Sequence, residues 1–297
     1  MNIAIWGATG NVGLALMYEA SSRGLSCHGY VRDRHKAKEL FESGDFFSFN
    51  EFGYNHYDIL INAISENNAN PFTVFETMER YDYKMIDYAR SNPHCVCISI
   101  SSGAAYIDSF IEPSNKDSEL HIRPNCITTD QWYGLVKLMC EQRHRALSPL
   151  PIIDLRLFSF ISRYLNLSQP LFIADLINAI IRRKPFITSA IDFERDYIHP
   201  SDLFDLILLC SKNRVNNCYD TFSCKPVRKS EIISHFEKAY SLEVIIGETW
   251  ESATGYKGKY YSKYHNAIDI GYKPKYSALD AIVMESGAAL NRIIHNA

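Results

Sequence analysis

An apolar run, Asn2-Ile-Ala-Ile-Trp6, leads directly into Gly7-Ala-Thr-Gly10-Asn-Val-Gly13, and Val12, Leu14, Leu16 and Met17 continue at helical spacing as far as Arg23 and Gly24. A strand that breaks into glycines and restarts as a helix severely limits the fold around it. The glycines permit a tight turn, and the free backbone N–H groups at the helix start can face a phosphate. Glycine spacing alone is a weak signal. Here a second apolar run, Ser26–Val31, closes a strand–turn–helix–strand unit about 20 residues on, as a dinucleotide site requires. Gly7, Thr9, Gly10, Asn11, Val12 and Gly13 are the candidate contacts. The alternative is a glycine turn that binds nothing.

The same alternation continues. Ile3–Trp6, Ser26–Val31, Asp58–Ala63 and Cys95–Ser99 read as strands, and Phe72–Arg90 reads as a helix ended before Asn92-Pro93. Thr128-x-x-Gln131 is a capping-box spacing that predicts a helix over Asp130–Arg145. Asp108 to Pro124 is polar and irregular, a loop expected near the site. The pattern predicts an α/β fold, a Rossmann-like doubly wound parallel sheet with a smaller C-terminal substrate-binding lobe. Residues 1–158 would form the nucleotide-binding domain and 159–297 the lobe, with 195–212 returning to the sheet. Ile152–Phe158 and Asp196–His199 read as further strands, and Phe172–Arg183 and Asp202–Cys210 as helices. From Asn216 onward the chain is rich in Tyr, Lys and Gly, and less regular structure is expected there.

Composition narrows the function. With 31 Lys+Arg against 34 Asp+Glu the formal charge is −3, so no broad basic surface for nucleic acid or an anionic membrane is expected. No stretch approaches the ~20 apolar residues of a membrane span. The first residues lack a basic leader and cleavage site, so secretion is not expected. None of the eight cysteines forms a C-x-x-C pair, and Cys95 and Cys97 alternate onto one strand face as core thiols. A cytoplasmic, reducing setting is expected. The ten histidines have no ligand spacing, so no metal is expected, and His199 reads as structural.

The end of the second strand bears on which dinucleotide is held. An acidic residue there suits the ribose 2′-hydroxyl of NAD, and an arginine suits the 2′-phosphate of NADP. This chain reads Tyr30-Val-Arg32-Asp33-Arg34-His-Lys36, with Val31 where the acid is expected. Arg32 can fork onto a phosphate, with Arg34 or Lys36 adding positive potential. NADP is favoured, and Asp33 leaves NAD open.

Tyr133-Gly-Leu-Val-Lys137 sets a phenol and an ammonium one helical turn apart on one face. Phenols ionise near pH 10, and a neighbouring cation favours the phenolate, which suits proton exchange with an alcohol oxygen. Helices also bury tyrosines and snorkel lysines routinely, so the pair alone is unspecific. Upstream, Ile98-Ser-Ile-Ser101-Ser102 ends an apolar strand in hydroxyls at the sheet edge where open α/β folds bind ligands. Glu141 reads as a helix-surface partner of Lys137 or Arg145, and Trp132 as helix packing.

Taken in order, Gly7-x-x-Gly10-x-x-Gly13, Ser102 four residues before Tyr106, and Tyr133-x-x-x-Lys137 resemble the extended short-chain dehydrogenase/reductases, the NAD-dependent epimerase/dehydratase branch. Leu155-Arg-Leu-Phe158, Arg195-Asp-Tyr-Ile-His-Pro-Ser-Asp202 and Gly271-Tyr-Lys-Pro274 resemble later segments of that family, so the likeness covers nearly the whole chain. It implies Tyr133 as general acid, Lys137 on the nicotinamide ribose, Ser102 on the reacting oxygen and Ala63 beside the cofactor. It also implies Arg195 at the diphosphate of a nucleotide-sugar substrate. An ion pair of Arg195 with Glu194 or Asp196 is the plainer alternative. Relatives pair as homodimers through two helices, here Phe72–Arg90 and Asp130–Arg145.

The departures sort the activities. Ser101-Ser102-Gly103-Ala104 lacks the acidic pair with which dehydratases of this branch eliminate water. Ser159 stands where an asparagine usually follows the Arg-Leu-Phe strand. The resemblance therefore implies an NADP-dependent reductase of a nucleotide-linked 4-keto-6-deoxy sugar, in deoxysugar synthesis for surface polysaccharide. A 4-epimerase with tightly held NAD, or a non-catalytic NADP sensor of the NmrA-like branch, are the alternatives. The sensors usually lack the Tyr/Lys pair.

Overall fold

The computed structural model describes residues 1–53, 55–66, 70–108, 110–247 and 257–296. The first apolar run is an interior strand of a sheet. Strands β1 (Asn2–Trp6), β2 (Ser26–Val31), β3 (Asp45–Ser48), β4 (Ile59–Asn62), β5 (Val96–Ser102), β6 (Ile152–Leu157) and β7 (Asn217–Asp220) lie side by side in the order β7-β6-β5-β4-β1-β2-β3. All six pairings are parallel.

Strand alternation then sorts side chains onto two faces. Ile3, Ile5, Ile59, Ile61, Val96 and Ile98 pack with Leu14 and Met17 of helix α1 (Asn11–Ser22) on one side. Ala4, Trp6, Leu60, Cys95 and Cys97 pack with Met85 and Ile86 on the other. Both faces are covered, which is why these strands read as unbroken apolar runs. The result is a Rossmann-like, doubly wound α/β fold, and both thiols of β5's entry lie in its core.

The short helix α2 (Arg34–Leu40) precedes β3, and the long α3 (Pro71–Ser91) precedes β5. Asn70 caps α3 by accepting the Phe72 N–H at 3.0 Å, and Pro71 opens its first turn. Helix α4 (Thr129–Ala146) starts at the expected capping box, where Thr128 N–H donates to Gln131 Oε1 at 3.1 Å.

Beyond β6 the chain builds a second apolar cluster. Ile173, Leu176 and Ile177 of α5 (Phe172–Arg182) meet Ile232 and Phe236 of α7 (Lys229–Tyr240) and Ile282 and Leu290 of α8 (Ala278–Asn296). Between them, α6 (Pro200–Asn213) returns to the sheet, where its Leu203, Phe204 and Ile207 join the α1-side core. His199 caps α6 through Nδ1, which accepts the Ser201 N–H at 3.1 Å. The buried Asp202 accepts the N–H groups of Lys275 and Tyr276 at 3.0 and 3.1 Å, fastening the C-terminal segment.

Two expectations need correction. Asp196–His199 contributes only the two-residue strand Tyr197–Ile198, paired with Ser159–Phe160 outside the main sheet. The strand that joins the main sheet there is β7. The tail is also more regular than its composition suggests, since β7, α7 and α8 all lie beyond Asn216. Residues 248–256 of that tail lie outside the described residues.

Candidate active site

The glycine loop is built by close approach. Gly7 has φ +72°, and a Cβ on it would stand 3.0 Å from the backbone of Ala63 just past β4. A Cβ on Gly13 would meet Gly7 O at 2.3 Å, so the first turn of α1 can seat against the loop only with glycine there. Gly10 is the N-cap of α1, offers no side-chain cap, and is exposed. The helix's opening N–H groups, from Asn11, Val12 and Gly13, thus have no capping side chain, and no acidic residue sits in the first turn. That leaves a positive helix end over open space, which fits a pyrophosphate. Asn11 is held from below, its Oδ1 accepting the hydroxyl of the fully buried Ser162. Thr9 is half-buried at the rim.

Trp6 is level with Tyr30, so the end of β2 stands beside this loop. Val31 points into the core at 2% exposure. Asp33 is the N-cap of α2, its carboxylate accepting the Lys36 N–H at 3.1 Å. Arg34 pairs with Glu51 at 3.4 Å and lies over Phe47. Arg32 is exposed at the strand's end.

The candidate trio comes from β5 and α4. A Cβ on Gly134 would stand 2.2 Å from Ala104 O, so glycine there lets α4 lie against the turn Gly103–Tyr106 that follows β5. Lys137 is buried, donates from Nζ to Ile100 O at 2.8 Å, and has its Nζ 5.6 Å from the centre of the Tyr133 ring. Tyr133 is half-buried, with its hydroxyl 3.2 Å from Ser65 Oγ beyond β4. Ser102 ends β5, and its Oγ accepts the Ala104 N–H at 3.2 Å.

Sequence reasoning did not single out Tyr260, whose hydroxyl lies 3.3 Å from Ser102 Oγ across 158 positions. Burial first, and then the Tyr133 phenol, push its pKa up to about 12 against the Ser102 hydrogen bond. No spacing rule reaches so far along a chain; an isolated Lys-Tyr-Tyr in an irregular tail was the only trace.

Arg195 is level with Tyr260 in a small three-strand sheet, where Glu194–Arg195 runs parallel to Lys259–Tyr260 and antiparallel to Val227–Arg228. Its neighbours are otherwise engaged. Glu194 accepts the Tyr261 hydroxyl at 3.1 Å, and Asp196 accepts the Ser223 N–H at 3.0 Å. The Arg195 guanidinium lies 4.5 Å over the Phe193 ring, and its buried Nε has no hydrogen-bond partner among the described residues.

Glu141 corrects the surface-pair expectation. It is 1% exposed, accepts the Ser101 hydroxyl, and is forked by Arg156 through Nε at 3.1 Å to both oxygens and Nη2 at 2.6 Å. Arg156 also reaches Asp220 at 3.4 Å, and Asp220 accepts the Tyr106 hydroxyl at 2.7 Å. Trp132 packs edge-on against Phe75.

A doubly wound sheet with a glycine-lined crossover and a Ser/Tyr/Lys cluster at its C-terminal edge defines a nucleotide-binding α/β protein. Residues 3–223 match the model of the NAD dependent epimerase/dehydratase family, and the chain belongs to that family of NAD-dependent enzymes. Among solved structures it resembles a UDP-glucose 4-epimerase from Stenotrophomonas maltophila with bound NAD and a formylated UDP-arabinopyranose, with TM-score 0.83 and 14% identity over 100% of both chains. It also resembles a Bacillus cereus UDP-glucuronic acid 4-epimerase variant in complex with NAD and a fluorinated UDP-glucuronic acid, with TM-score 0.77 and 16% identity over 99% of this chain and 100% of that one. A dTDP-glucose 4,6-dehydratase from Bacillus anthracis in complex with NAD gives TM-score 0.73 and 13% identity over 97% and 96%. No curated protein sequence matches. Among the described residues, no helix is long and apolar enough to cross a membrane.

Proposed function

We propose that the chain is an NADP-dependent oxidoreductase that reduces the keto group of a nucleotide-linked 4-keto-6-deoxy sugar. The observation that carries the reading is the convergence of α4 and β5: Lys137 bonded to Ile100 O, Tyr133 one turn before it, and Ser102 two residues beyond Ile100. A nicotinamide dinucleotide held at the loop from Gly7 to Gly13 would supply a hydride for the ketone carbon. Tyr133 gives its proton to the oxygen, so the carbonyl becomes a secondary alcohol, and the phenol is reprotonated from solvent. Ser102 and the Lys137 ammonium stabilise the developing alkoxide, and among the described residues only Ile100 O takes one of the three Lys137 N–H donors, which leaves two for a ribose. Arg195 is the cation for the diphosphate of the substrate.

Two features support this choice within the family. Val31 and Arg32 suit a 2′-phosphate, and Asp33 is occupied as a helix cap. The serine segment holds no carboxylate, and Glu141, which accepts the Ser101 hydroxyl, is committed to Arg156, which argues against elimination of water. The exposed Tyr83 of α3 and Met139 of α4 suit a homodimer through those two helices, which pack together.

Epimerisation is the second reading, favoured by the likeness to two 4-epimerases in complex with NAD. Absorbance at 340 nm tests the first reading, and chromatography of a 4-hydroxy sugar nucleotide incubated with the enzyme tests the second. A reductase oxidises NADPH stoichiometrically with UDP- or dTDP-4-keto-6-deoxyglucose, whereas an epimerase interconverts 4-hydroxy sugars without net consumption. Absence of both reactions with intact NADPH binding would leave the sensor.

A further inference from the structure

Tyr260 reaches the site from the far end of the chain and is fixed on every side. Its strand is held by Lys259 N–H donating to Phe110 O at 2.8 Å, and by Ser114 N–H donating to Tyr261 O at 3.0 Å. Its ring meets Phe110 and Phe158 edge-on at 4.7 and 5.4 Å between centres, and the residue is 8% exposed. A side chain so enclosed has one rotamer, and this one carries its hydroxyl to Ser102.

A serine hydroxyl has one proton to donate and two lone pairs with which to accept. One lone pair of Ser102 takes the Ala104 N–H. Either hydroxyl could donate by position, but a phenol is a stronger acid than an alcohol and therefore the better donor, which makes Tyr260 the donor and Ser102 Oγ the acceptor of the pair. Both lone pairs of Ser102 are then occupied, and its own proton must go to a third partner. The 3.3 Å separation exceeds the ~2.7–2.8 Å usual for O–H···O. Catalytic hydrogen bonds in ligand-free sites are often long and tighten around substrate.

We infer that Tyr260 is a positioning residue that commits the Ser102 hydroxyl to donating toward the reacting oxygen, acting through Ser102 and not by touching the carbonyl. A committed donor suits a ketone oxygen, which only accepts, and suits the alkoxide it becomes even better. The inference rests on the role proposed for Ser102.

A double-mutant cycle separates the two. With NADPH and UDP-4-keto-6-deoxyglucose, Tyr260→Phe should lower kcat roughly five- to tenfold, as loss of one hydrogen bond predicts, with KM, NADPH affinity by fluorescence titration and Tm nearly unchanged. In a Ser102→Ala background the same change should cost nothing further, because the group it orients is gone. Equal losses in both backgrounds, or unchanged kcat in Tyr260→Phe beside a slow Ser102→Ala, would overturn the inference and leave the role of Ser102 standing. A fully active Ser102→Ala would overturn both together.

Discussion

Glu141 and Arg156 form a forked ion pair beneath the end of β5, with Nη2 closing to 2.6 Å on a carboxylate that is almost wholly buried. Lys137 and Glu141, one turn apart on α4, therefore grip consecutive residues of β5, the carbonyl of Ile100 and the hydroxyl of Ser101. The spacing between Tyr133 and Ser102 depends on that grip. Glu141→Ala would leave the Arg156 guanidinium with only its longer contact to Asp220 at 3.4 Å, and breaking a buried ion pair typically costs about 3–5 kcal/mol. Urea unfolding should register that loss, and a shift under about 1 kcal/mol would mean that water or rearrangement takes the carboxylate's place.

Tyr133→Phe removes the proposed proton donor and little else, since its hydroxyl touches only Ser65 among the described residues. Turnover should fall by at least about a hundredfold, the usual scale of general acid catalysis, while NADPH titration stays near normal. Retained turnover would remove the phenol from the mechanism.

Arg32→Ala should weaken NADPH binding far more than NADH binding, because only the former carries the 2′-phosphate. Dissociation constants for both, measured by quenching of protein fluorescence, decide the matter. Equal losses would end the case for a phosphate contact.

Arg195→Ala should raise the KM of the nucleotide sugar chiefly and leave kcat less affected, since a diphosphate contact acts far from the reacting carbon. An unchanged KM would return the residue to a packing role over Phe193.

His144 predicts a pH dependence of stability. It is wholly buried, with Nε2 2.6 Å from Asp82 of α3 and Nδ1 2.9 Å from Asp154 of β6. Arg143 and Arg145 hold the outer sides of those two acids. Burial opposes the imidazolium, but Asp154 and Asp82 outweigh it and push the histidine up to about 9. Its folded pKa thus exceeds the unfolded value near 6.5, so the contribution is complete below about pH 6.5 and lost as pH rises through about 9. The loss should be on the order of 3 kcal/mol between those limits. Urea midpoints at pH 6, 8 and 10 measure it, and His144→Gln should flatten the slope; an equally steep variant would assign the titration elsewhere.

Much of the fold is legible in local pattern. Ser26–Val31 forms with the expected bounds, and α3 and α4 extend one residue beyond theirs at each end. The elements that escape are α2 and β3, and three beyond Asn216. The edge strand Asn217-Cys-Tyr-Asp220 is short and carries polar ends, so no apolar run announces it. In α7 only Lys229, Ile232 and Phe236 are buried, too sparse a stripe to stand out among polar neighbours. Ala281, Ile282, Ala289 and Leu290 of α8 do lie at helical spacing, but the irregular stretch before them obscures it.

What the amino-acid order alone determined is what short-range forces govern: the strand–glycine–helix crossover, the capped α4, and a phenol and ammonium one turn apart. Chain connectivity sets these distances directly. Only the folded sheet decided that Glu141 would be buried under Arg156, that Glu194 and Asp196 would turn away from Arg195, and that Tyr260 would meet Ser102. Those contacts join residues far apart in the chain, and their energies depend on burial and on competing partners that no local spacing encodes.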